Sequence, residues 1–155
     1  MTTITYPQHE AIVKLQGLIE VNIDSARGFR LAAEKIEDPS LSGMFRREAD
    51  ARDAHAAELQ SLVSRAGETP VVNGSVSGLL HRWWLDLRGA VTKNAEHAML
   101  CAAERGEDVI RRRYEDCLQE PLGDPLSEVV MRQYEHVKQS HDHVRTLRDR
   151  LVNGR

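Results

Sequence analysis

Four polar side chains occupy positions at which the helical pattern of this chain is otherwise apolar: Asn22, Arg52, Glu107 and His141. Glu107 is the clearest case, because Ala103 and Ile110 lie one turn before it and one turn after it. A carboxylate on the core face of a helix is unfavourable unless a partner compensates its charge. The chain must therefore supply either a buried cation for Glu107 or further ligands for a metal ion.

The first alternative is a buried ion pair between Arg52 and Glu107, with Asn22 and His141 completing the hydrogen bonds. The second alternative is a metal site, since carboxylate and imidazole groups are ligands of iron and related metals. Its candidate ligands are Glu48, His55, Glu104, Glu107 and His141. His141 by itself is more typical of a hydrogen-bonded core histidine than of a ligand.

Composition excludes several other classes of function. The 155 residues are 41% hydrophobic and carry a formal charge of -3, which gives no reason to expect nucleic-acid binding. No apolar run approaches the roughly 20 residues that a membrane span requires. The N-terminus lacks the pattern of a secretion signal, so we expect a cytoplasmic protein. Cys101 and Cys117 would lie roughly 24 Å apart on one helix, which predicts two reduced thiols.

Prolines divide the chain into segments of helical period, as expected where proline marks helix boundaries. The predicted helices span about residues 9–37, 39–66, 75–91, 94–120 and 125–151. Asp38-Pro39 and Asp124-Pro125 each provide an N-cap followed by a proline suited to the first helical position.

The segments between these boundaries form a weak internal repeat. Each half has a long helix, an Asp-Pro junction and a second long helix in which a basic residue precedes histidine by three positions. The predicted fold is therefore all-α: one domain, residues 1–155, forming an antiparallel four-helix bundle with a short extra helix in the crossover between helices 2 and 3. In such a bundle the four polar residues should converge in a single polar layer. The short helix carries Trp83 and Trp84, and we expect a homodimer contact there.

Four segments of the sequence are informative together: IEVNIDSARGFRLAAE (19–34), GSVSGLLHRWWLDL (74–87), AERGEDVIRRRYEDCL (103–118) and HDHVRTLRD (141–149). They resemble a bacterial family of uncharacterised ferritin-like four-helix-bundle proteins, a domain of unknown function. The resemblance covers nearly the whole chain and implies a ferritin-like fold.

The resemblance implies that the metal-binding motifs of di-iron ferritin-like proteins can be compared with the corresponding positions of this sequence. Those proteins place glutamates on the first and third helices and Glu-x-x-His on the second and fourth. Here His55 and His141 match the two histidines, whereas Arg52 and Lys138 stand where the motif has glutamate. We therefore expect no cofactor and a non-catalytic structural or stress-associated interaction module. The alternative is an iron-binding di-iron protein with ferroxidase-like oxygen chemistry.

Overall fold

The structure of the protein is a computed structural model that describes residues 9–74 and 95–153. Within those residues the chain forms four α-helices and no β-strand. They are α1 (His9–Lys35), α2 (Pro39–Arg65), α3 (Ala95–Leu118) and α4 (Leu126–Asn153). The helix predicted at 75–91, with Trp83 and Trp84, lies outside the described residues. None of these four helices has the length and apolar character needed to cross a membrane.

The junction between α1 and α2 follows from its sequence. The Asp38 side chain accepts hydrogen bonds from the backbone N–H groups of Ser40, at 2.8 Å, and Leu41, at 3.4 Å. Pro39 occupies the first turn, where its missing N–H leaves no helical hydrogen bond unmade. α1 ends at Lys35 and α3 at Leu118, each two residues earlier than predicted.

The helices pack mainly in two pairs. α1 contacts α2 along their length, α3 contacts α4, and α1 also meets α3, whereas α2 and α4 approach each other less closely. After α2, the chain is held against α1 and α2 by two glutamine side chains. Gln16 donates to the carbonyl oxygen of Thr69 and accepts from the N–H of Val71, both at 2.8 Å, and Gln60 donates to the Val71 carbonyl oxygen.

The apolar core consists of two clusters that follow each other along the helices. One combines residues 11–21 of α1, 56–63 of α2, 110–117 of α3 and 126–137 of α4 with Leu122 of the connection. The other combines residues 26–36, 41–49 and 99–103 with Val144. The four polar residues named above are all buried, and along each helix they fall between the two clusters.

Two helices bury polar residues in addition to the four named above. On α1, Asp24 is only 7% exposed, because α1 has a second buried face. Gly74 lies against this carboxylate, and a Cβ at position 74 would overlap it. On α4, Gln133 is fully buried while Tyr134 is half-buried, and Leu151 is exposed. α4 therefore places Gln133, rather than the neighbouring Tyr134, in the core.

Candidate functional site

An ion pair between α2 and α3 occupies the centre of the core. Nη2 of Arg52 donates to both carboxylate oxygens of Glu107, at 2.8 and 2.7 Å. Arg52 is 0% exposed and Glu107 1% exposed. Burial raises the pKa of the Glu107 carboxyl, and the positive charge of Arg52 opposes that increase. The guanidinium also lies over the Phe29 ring, with 6.0 Å between its carbon and the ring centroid.

Glu48 connects this pair to the surface. One of its oxygens lies 3.6 Å from Arg52 Nη2 and accepts a hydrogen bond of 2.8 Å from the Ser140 hydroxyl. The same oxygen lies 3.7 Å from Nε2 of His136, whose side chain is 43% exposed. The charged core therefore continues outward through the polar contact between α2 and α4.

A second hydrogen-bond network crosses all four helices. The Asn22 amide donates to the Tyr114 hydroxyl at 2.8 Å, and Tyr114 donates to the Gln133 carbonyl oxygen at 2.7 Å. Gln133 in turn donates to Glu58 at 2.8 Å, and Glu58 pairs with exposed Arg132 at 2.6 Å. Burial raises the pKa of the Tyr114 hydroxyl, so it remains protonated as the donor in this chain.

The sequence interpretation missed two members of this network. Tyr114 has the helical spacing of the apolar residues of α3, but a buried tyrosine hydroxyl normally requires a hydrogen-bond partner, and that requirement is the signal that could have identified it. Gln133 was missed because the neighbouring Tyr134 is more apolar and fits the same helical spacing. Neither residue adds a formal charge to the core.

Asn22 and His141 do not complete the hydrogen bonds of the Arg52–Glu107 pair, contrary to the expectation from sequence. Asn22 belongs to the second network. Nε2 of His141 lies 2.8 Å from Asp108, the residue after Glu107. Adjacent helical residues point about 100° apart, so His141 reaches the flank of α3 rather than its centre.

The two remaining residues of the repeat, His55 and Lys138, lie in different environments. His55 packs edge-on against His136, with ring centroids 5.1 Å apart. Burial, the positive charge of Arg52 and the nearby His136 lower the pKa of His55 to about 4, so its imidazole is neutral at neutral pH. Lys138 lies at the surface, where it pairs with Glu135 at 3.0 Å, and is not part of the polar layer.

The five candidate metal ligands are bound to different partners. Glu107 binds Arg52, Glu104 pairs with Arg148, and Glu48 accepts from Ser140, while His141 meets Asp108 and His55 meets His136. Across residues 9–74 and 95–153, no group of three or more His, Cys, Asp or Glu side chains is arranged to hold a metal ion. As arranged, this donor set does not fit a di-iron centre, because a cation already binds both oxygens of its most buried carboxylate.

The fold and the site together define an α-helical protein with a buried ion pair inside its core. Residues 10–120 match the family described as Domain of unknown function (DUF2383), and the chain belongs to that family. The matched region includes Asn22, Arg52 and Glu107, while His141 and α4 follow it. A comparison with curated proteins finds no match.

Proposed function

We propose that this chain is a ferritin-like antiparallel four-helix bundle whose polar layer holds the helices together and performs no catalysis. The core clusters support the antiparallel arrangement, because the first half of α1 packs with the second half of α2, and the second half of α3 with the first half of α4. The ferritin-like relationship rests on the sequence resemblance described above.

The observation that carries this proposal is the contact of Arg52 Nη2 with both oxygens of Glu107. A metal ion at Glu107 would need at least one of those oxygens and would lie beside a buried guanidinium. Ligation would therefore require Arg52 to leave a site in which it is fully buried. The direct charge repulsion disfavours Fe(II) further, since its protein ligands are normally anionic or neutral.

Because the buried polar residues serve to hold the helices together, we expect the protein to contact its partners through its surface. We propose a structural or stress-associated interaction module in the cytoplasm that binds neither nucleic acid nor membrane. The stress role comes from the resemblance, and the homodimer contact from the adjacent tryptophans Trp83 and Trp84. The dependence of molecular mass on protein concentration, measured by light scattering for the wild type and for Trp84→Ala, tests that contact: a dimer lost in the variant supports it, and a monomer at all concentrations refutes it.

Metal content tests the proposal for the core. Protein purified without chelator, and protein incubated anaerobically with Fe(II), are analysed by mass spectrometry beside Glu107→Gln and the exposed control Glu34→Gln. We expect no stoichiometric iron in any sample. Iron bound in stoichiometric amount by the wild type and by Glu34→Gln, but lost in Glu107→Gln, would refute the structural role and favour the di-iron alternative.

A further inference from the structure

The side of α1 that faces away from the core is itself buried. It consists of Asp24, which is 7% exposed, Gly28, which is buried, and Leu31, which is half-buried, and is called here the outer side of α1. At about 100° per residue, these positions point at least about 100° away from both Asn22 and Arg30. Asn22 marks the side of α1 that contacts α3, and Arg30 the side that contacts α2. A helix side turned away from its neighbours is normally exposed, so the burial of this one points to a covering segment.

The chain leaves the described region at one end of the outer side of α1 and returns beyond its other end. Gly74, the last residue described before the gap, lies directly against the Asp24 carboxylate. At the start of α3, Glu96 accepts from the backbone N–H of Asp38 at 3.4 Å, just beyond the end of α1. At about 1.5 Å per residue, the distance along α1 from Asp24 to the end of the helix is roughly 17 Å, and a helix over the predicted residues 75–91 would be about 25 Å long. Such a helix is long enough to run along this whole side.

We propose that residues 75–91 pack lengthwise against the outer side of α1 and cover it. The sequence of this segment has an apolar side suited to that contact, because its large apolar residues recur at helical steps. They are Leu79, Leu80, Trp83 and Leu87. Gly28 contributes to the contact through its lack of a side chain, which lets a bulky group such as an indole ring approach the backbone of α1.

The distribution of charge favours this occupant over a second copy of the protein. Residues 75–94 have a formal charge of +2, with histidine neutral, from Arg82, Arg88 and Lys93 against Asp86. The whole chain has a charge of -3, so the segment is basic within an acidic protein. A basic segment complements the buried carboxylate of Asp24. A two-fold contact between the outer sides of two copies would instead bring two Asp24 carboxylates towards each other.

This placement gives the two adjacent tryptophans different roles. Trp83 shares the side of the leucines and faces α1, whereas Trp84 points about 100° away from it. Trp84 is then left for the homodimer contact proposed above. The packing of the segment on α1 depends neither on that contact nor on the metal content of the core, so its tests are separate from those of the proposed function.

Nuclear Overhauser effects in the wild-type protein test the packing directly. The two tryptophans of the chain both lie in this segment, so their indole protons report on it alone. We expect cross-peaks within one molecule from the Trp83 ring to the Hα protons of Gly28 or the methyl groups of Leu31. Cross-peaks found only between molecules, in a mixture of isotope-labelled and unlabelled protein, would assign the outer side of α1 to a second copy and overturn the proposal. The absence of cross-peaks of either kind would also overturn it.

Acrylamide quenching of the tryptophan fluorescence gives a second test. Gly28→Leu should displace the segment, which raises the quenching constant and shifts the emission maximum to longer wavelength. Gly17→Leu is the matched control, because Gly17 lies on the same side of α1 about three turns earlier and a Cβ there meets no atom within 4 Å. We expect it to behave as the wild type does. Equal quenching in folded Gly28→Leu and in the wild type would refute the packing, and the wild-type cross-peaks decide the question if that variant does not fold.

Discussion

One nitrogen atom of Arg52 binds the whole carboxylate of Glu107, with Nη2 at 2.8 Å from Oε1 and 2.7 Å from Oε2. The pair is neither at a helix end nor at the surface, but between two apolar clusters where water is excluded. Removing two charges from water offsets much of their mutual attraction. The net contribution of the pair to stability is therefore small compared with the effect of removing only one of its members.

Arg52→Ala should destabilise the protein by about 3–5 kcal/mol, because it leaves the Glu107 carboxylate buried without its cation. The free energy of unfolding, measured by urea denaturation at neutral pH, checks this expectation. Arg30→Ala is the matched control, since Arg30 is 44% exposed and pairs with Asp50 and Asp53 at the surface. Its loss should change stability by no more than about 1 kcal/mol. An equally small effect at Arg52 would contradict the buried pair.

Replacing both partners should be far less harmful than replacing one. In Arg52→Met with Glu107→Leu, neither charge of the pair remains and both side chains can pack against the flanking apolar clusters. Apolar replacements of buried ion pairs are often neutral or stabilising. A double-mutant cycle in urea measures the coupling directly. We expect the double variant to be more stable than Arg52→Met alone, and simple additivity of the two changes would show that the residues do not act as a pair.

Tyr114→Phe should destabilise the protein by about 1–2 kcal/mol, because it leaves the buried Gln133 carbonyl oxygen without its donor. Tyr134→Phe serves as the control, since the Tyr134 hydroxyl is bound to Glu115 near the surface. Thermal and urea unfolding of both variants compare the two hydroxyl groups. A larger loss at Tyr134 than at Tyr114 would contradict the assignment of Tyr114 to the core network.

Acidification should destabilise the protein partly through His55. Its pKa is about 4 in the folded state against 6.5 as the ordinary value, so between these values the unfolded chain binds a proton that the folded chain does not. Stability from this group is complete above pH 6.5 and decreases as the pH falls towards 4, by at most about 1.4 kcal/mol per pH unit.

Urea midpoints measured across this pH range for the wild type, His55→Gln and the exposed control His143→Gln isolate the contribution of His55. The groups that face it include Arg52 on its own helix and His136 and Arg132 on α4, all of which disfavour its protonation, while Glu58 favours it. We expect a shallower pH dependence in His55→Gln than in the other two proteins. Identical slopes in all three would place the acid sensitivity elsewhere.

The helices and the burial of Arg52 and Glu107 could be read from local spacing, because each of these residues has apolar neighbours one turn away on both sides. The choice between Gln133 and Tyr134 could not. The two residues are adjacent on α4, and the one that enters the core depends on the rotation of α4 against α2 and α3, which is decided by packing between helices.

The partner of His141 was equally inaccessible from sequence. Glu107 and Asp108 are adjacent carboxylates on α3, so they lie at nearly the same height in the core, and spacing alone does not tell which of them His141 contacts. Contact with Asp108 at 2.8 Å results from the relative placement of two helices joined by residues 119–125. Spacing identifies residues that share a level of the core, whereas the pairs they form depend on tertiary geometry.

The position of the charged pair between two apolar clusters also determines how α3 is aligned against α2. If α3 slid by one turn, about 5.4 Å, alkyl groups would still meet alkyl groups in both clusters, and hydrophobic burial would change little. Arg52 and Glu107 would then each be buried opposite hydrocarbon, at a large electrostatic penalty. A pair that adds little net stability thus selects one register of the helices from several that the apolar side chains alone would tolerate.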